Sequence, residues 1–136
     1  MSDTTRDRGS AGVEVAMSVT ALLLVAFFTI GALRVTNTGG DVKAAARAGA
    51  RAAATARTPA GGQAAAETVV ASALADRGVA CQGGPGVGVV RDAAGVATVT
   101  VTCVVALDDV SAAGFTATKT LTATAVERVD PLRGES

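Results

Sequence analysis

The side chains able to do chemistry are few. The chain has no His, so the usual general base and the usual nitrogen ligand for a metal are both missing. Its twelve acidic residues are scattered, and no nucleophile–base pair can be assembled from them. Asp108 and Asp109 are adjacent, but two carboxylates are too few for a calcium cage, and a solvated loop explains them equally well. Cys81 and Cys103 are the only cysteines, too few for a zinc site without His. Residues 83–86 read Gly-Gly-Pro-Gly but lack the Lys-Ser/Thr of a phosphate loop. We therefore expect no enzymatic activity, no cofactor, no metal and no small-molecule substrate. Twelve basic residues balance the twelve acids. A chain without excess positive charge is poorly suited to neutralise phosphates, so nucleic acid is not an expected partner.

Two features remain. Cys81 and Cys103 would close a loop of about 23 residues if oxidised, worth about 3 kcal/mol in the chain-entropy model. The alternative is a pair of free buried thiols, as a reducing compartment would leave them. A tie matters here because apolar bulk is scarce. Trp and Tyr are absent, and two of the three Phe, Phe27 and Phe28, lie in an apolar run near the N-terminus. The rest of the chain must build its core from Val, Ala, Leu and Phe115, and thin cores usually need a staple or a partner.

The second feature is a carboxylate, Glu14, directly before residues 15–33, which carry no charge. At 1.5 Å per residue that run makes a helix of roughly 28 Å, close to the thickness of bilayer hydrocarbon. A cleaved signal peptide is the competing reading. Its apolar region is shorter, it begins on positive charge, and it ends at a small-residue cleavage site, none of which is found here. We expect a retained single-pass membrane helix. Arg34, Lys43, Arg47 and Arg51 follow it, and a count of basic residues alone would put the C-terminal side in the cytoplasm. The cysteine pair argues for the opposite side.

Residues 8–16 read Arg-Gly-Ser-Ala-Gly-Val-Glu-Val-Ala, with Gly9 directly before Ser10 and Glu14 five positions into the following segment. This resembles the processing site of type IV pilin-like precursors, and more closely the opening of the TadE-like family, minor pseudopilins of tight-adherence pilus systems. An Ala/Arg-rich segment at 44–53 and a Thr/Val-rich end fit the same family. The resemblance implies a leader at 1–9, cleavage between Gly9 and Ser10 by a membrane prepilin peptidase, and a cytoplasmic N-terminus with an extracytoplasmic C-terminal domain. It also implies that Glu14 pairs with a neighbouring subunit's amine. Its partners would be the bilayer, that peptidase, and other subunits of a pilus or secretion pseudopilus. Read without the resemblance, Glu14 is an acid in a first helical turn, where the dipole favours it.

These residues need elements to hold them. No Pro occurs before Pro59, so one helix can run over 11–57, with Asn37-Thr38-Gly39-Gly40 as the place where it would end or soften. Lys43, Arg47 and Arg51 are spaced i, i+4, i+8 and form one stripe, either a docking ridge for an acidic partner or a solvated face. The face with Ala45, Ala48, Gly49, Ala52 and Ala56 would let another helix approach closely. Residues 58–62 read as a linker and 63–76 as a second helix ended by Gly78. Strands follow at 87–91, 96–107 and 115–129. In the second, Val99, Val101, Cys103, Val105 and Leu107 face one way. In the third, Phe115, Leu121, Ala123 and Ala125 face inward and the threonines outward. The expected fold is α+β: a long pilin-like N-terminal transmembrane helix, then, within 63–136, a second helix, a small antiparallel three-stranded sheet and a polar tail.

Overall fold

The structure is a computed structural model that describes residues 7–107 and 117–129. The elements are helices α1 (Asp7–Thr55) and α2 (Pro59–Asp76) and strands β1 (Gly86–Arg91), β2 (Val96–Ala106) and β3 (Thr118–Arg128). The three strands form one antiparallel sheet in the order β1-β2-β3. This is the expected α+β architecture. Phe115, Asp108, Asp109 and the polar tail from 130 onward lie outside the described residues.

The chain divides into two compact units, Met1–Val35 and Thr36–Ser136. The first is the apolar part of α1. It is long and apolar enough to cross a membrane, and none of its apolar stretch is buried in the protein. Its hydroxyls are satisfied within the helix: Ser18 donates to the Glu14 carbonyl, Thr20 to Ala16 and Thr29 to Val25, at 2.7–2.8 Å. Such back-bonding leaves these three hydroxyls with no need of a partner in hydrocarbon.

The second unit holds the core. α1 contributes Val42, Ala45, Ala46, Ala50 and Ala53, α2 contributes Ala66, Val70 and Leu74, and the sheet contributes Ala97, Val99, Val101, Cys103 and Ala125. The sheet members are odd-numbered because strand side chains alternate, and one face alone meets the helices. The Ala/Gly face read from the sequence is thus a packing face. Gly49 is its closest point: a Cβ placed there would lie 2.7 Å from Val70 Cγ2 and 3.4 Å from Val99 Cγ1.

One open sequence reading is decided and one is corrected. Asn37-Thr38-Gly39-Gly40 does not interrupt α1, since two glycines cost a helix about 1 kcal/mol each and packing of the following turns on the core outweighs that. Residues 59–62 are not linker but the first turn of α2. Pro59 takes the first helical position, where its missing N–H is no loss. Thr58 is the N-cap, its hydroxyl accepting from Gly61 N at 3.0 Å. α2 ends as expected at Gly78, which adopts φ +69°. There Gly78 N donates to Ala75 O and Val79 N to Leu74 O, a Schellman closure.

Candidate functional site: the charged groups of the long helix

The site residues read from the sequence fall on α1 and on the disulfide. Gly9 and Ser10 lie in the helical backbone of α1's first turns, and Glu14 follows one turn later, exposed, with the apolar stretch after it. The side chains of one helical face just beyond, including Val13, Ala16, Met17 and Thr20, line a shallow groove along the helix surface. The chain neighbours of Glu14, Val13 and Val15, are each 62% accessible, and Ser18 lies one turn on. A carboxylate among such neighbours is inexpensive in water. In a membrane boundary it costs a few kcal/mol unless a cation meets it.

Lys43, Arg47 and Arg51 are all exposed and line the side of α1 away from the core. One of the three is paired within the chain. Arg51 Nε lies 3.5 Å from Glu127 Oε1 on β3, with the two side chains 77% and 40% accessible. A pair that wet contributes little to stability, but it commits Arg51 to this chain's own sheet. Lys43 and Arg47 have no ion-pair partner among the described residues. Asp41 makes a similar surface pair with Arg77 at 3.4 Å, joining α1 to the end of α2.

Cys81 and Cys103 are joined in a disulfide, with Cα atoms 5.1 Å apart. Cys81 lies in the α2–β1 loop and Cys103 is fully buried on β2, so the bond ties the end of α2 to the central strand. Gln82 N donates to Val104 O at 2.7 Å beside it, prolonging the β1 side of the ladder.

Two further side chains were not singled out from the sequence. Arg91, the last residue of β1, turns toward the helices. Its Nη2 donates to the carbonyls of Ala53 and, at 2.8 Å, Ala56, at the end of α1, where the last carbonyls lack the i+4 partners of a helix interior. A guanidinium there meets the negative end of the helix dipole. The signal was available: Val87, Val89 and Arg91 share one parity, so a charge stood on the inward face. Gln63 on α2 takes the free edge of β1. Its Nε2 donates to Val87 O at 2.8 Å and its Oε1 accepts from Val89 N at 3.0 Å, as a neighbouring strand would.

Among the described residues no group of His, Cys, Asp and Glu is placed to hold a metal. No family model matches the chain, and neither a curated protein nor a solved structure matches it.

Proposed function

We propose that this chain is a TadE-like minor pseudopilin: a non-enzymatic structural subunit, anchored by α1, that takes part in assembling a tight-adherence-type pilus or a related secretion pseudopilus. The observation that carries the reading is the position of Glu14, an exposed carboxylate at the head of the membrane-length apolar stretch, five residues into the segment that begins at Ser10. Cleavage after Gly9 would leave a new amine within reach of a neighbour's Glu14, giving that carboxylate the cation that a membrane boundary demands. The disulfide supports an extracytoplasmic domain, because such bonds persist where the medium is oxidising. Lys43 and Arg47 supply the exposed charge that an acidic partner subunit would meet.

A second reading is an uncleaved, membrane-anchored scaffold domain of another envelope complex. What favours it is the unbroken helical backbone through Gly9 and Ser10, which a peptidase would have to open. Mass spectrometry of the protein from membranes containing the prepilin peptidase separates the two. A mature N-terminus at Ser10 is expected, and an intact Met1 or Ser2 on most copies would overturn the pseudopilin reading.

A further inference from the structure

The face of the sheet turned away from the helices is built from the even-numbered residues, and nothing in the chain's described part covers it. Its composition is unusual for a surface. Three threonines of β2 and four of β3 lie on it, with exposed glycines along β1, and between its two ends it carries no charge. Soluble domains normally place Lys, Arg, Asp and Glu on about a quarter or more of such positions. Two valines stand out from it, Val90 at 67% and Val126 at 59% accessible.

The strand register arranges these residues in rows across the sheet. Val90, Thr98 and Val126 form one row. Gly88, Thr100 and Thr124 form the next, with the two threonine hydroxyls 3.3 Å apart. Gly86, Thr102 and Thr122 follow. At the other end Asp92 exchanges hydrogen bonds with Val96, which is opposite Arg128. Three of the four rows are therefore complementary at their two ends, hollow against ridge or acid against base, and the fourth has valine at both ends.

We infer that this face is the contact with a second copy of the chain, stacked face to face about a two-fold axis running along β2. Such an axis keeps each row level and reverses it. Gly86 and Gly88 then receive Thr122 and Thr124 of the second copy, Val90 meets Val126, and Asp92 meets Arg128. Every one of these contacts occurs twice. The match follows from the register. Joining two β3 edges antiparallel would instead reverse all the elements of one copy relative to the other, whereas the two-fold along β2 keeps both sets of strands running the same way. From strand spacings the face measures roughly 450 Å² per copy, so the pair buries about 900 Å², below the range of stable interfaces and in that of weak, transient ones. Association is thus weak in dilute solution and is promoted where anchoring concentrates the copies.

The inference rests on the sheet alone and stands whether or not Gly9 is a processing site. It is tested with the full chain in detergent, by sedimentation equilibrium and amine crosslinking across a dilution series. The wild type is expected to show a monomer–dimer equilibrium. Thr100→Lys puts two like charges on the axis and should raise the dimer dissociation constant at least tenfold, while Ala71→Lys, on the exposed side of α2, should leave it unchanged. Asp92→Lys and Arg128→Asp should each be monomeric alone, since each sets like charges opposite one another twice. An equimolar mixture of the two should dimerise, because every apposed pair is then opposite in sign. A wild type that stays monomeric throughout, a Thr100→Lys chain that dimerises like the wild type, or folded charge variants that fail to associate when mixed would overturn the inference.

Discussion

Alanine placed at Gly49 and at Gly40 should have effects of opposite sign, although both sit in α1 and the chemical change is identical. Replacing Gly by Ala in a helix interior is worth about 1 kcal/mol from the backbone alone. At Gly40, exposed, a new Cβ meets nothing within 4 Å, so that gain should be kept. At Gly49 the new methyl starts 2.7 Å from Val70 Cγ2, where comfortable carbon–carbon contact needs about 3.5 Å or more. Val70 is fully buried on α2 and, being β-branched, has one strongly preferred helical rotamer. It cannot swing aside, so α2 must back away from α1 by most of an ångström, and the core loosens with it. Overpacking of this kind costs about 1–3 kcal/mol. Set against the backbone gain, Gly49→Ala should lose about 1 kcal/mol, and the two variants should differ by about 2 kcal/mol. For a domain of this size each kcal/mol moves the melting temperature by about 4–8 °C. Thermal and urea unfolding of the full chain in detergent, followed by far-ultraviolet circular dichroism, reads the difference. A Gly49→Ala chain as stable as the wild type, or a Gly40→Ala chain equally weakened, would refute the close α1–α2 approach.

Other perturbations probe other parts. The double variant Cys81→Ser/Cys103→Ser, or full reduction, should cost about 3 kcal/mol, measured by urea unfolding with and without reductant; in intact, unreduced protein neither thiol should be alkylated. Arg91→Met keeps the stem but removes the charge-assisted bonds to the end of α1, and should lose about 1–3 kcal/mol by the same unfolding assay. Glu14→Leu should insert into membranes as well as the wild type but fail to crosslink to pilin-like partners, with Glu14→Gln intermediate; wild-type assembly by the Leu variant would reduce Glu14 to a helix-start acid. Lys43→Glu/Arg47→Glu should leave the melting temperature unchanged and lower recovery of partner subunits from solubilised membranes.

What the sequence made legible was governed by local rules. The alternation of Val and Thr in β2 and β3, the positive-φ glycine closing α2, and the uncharged length of 15–33 each follow from a period or a single residue's conformational range. Bonds between residues far apart in the chain were harder to foresee. Pro59 looks like a breaker until Thr58 is seen capping the turn that contains it. Asn37–Gly40 reads equally as an end or a soft point of one helix, and the hold of α2 and the sheet on the following turns decides for continuity. Lys43, Arg47 and Arg51 are equivalent on a helical wheel, and only β3 sets Arg51 apart by presenting Glu127. Arg91 and Gln63 carry long-range bonds across 38 and 26 residues, beyond any window in which spacing is informative.

Gln63 has a consequence for what the molecule avoids. A sheet grows without limit only if each added unit offers a fresh edge on its far side. By occupying the Val87 carbonyl and the Val89 N–H with its own side-chain amide, Gln63 obstructs strand addition at the middle of β1. An obstructed edge on one side of the sheet limits how far copies can add edge to edge. For a Thr- and Val-rich sheet, that single amide works against amyloid-like polymerisation.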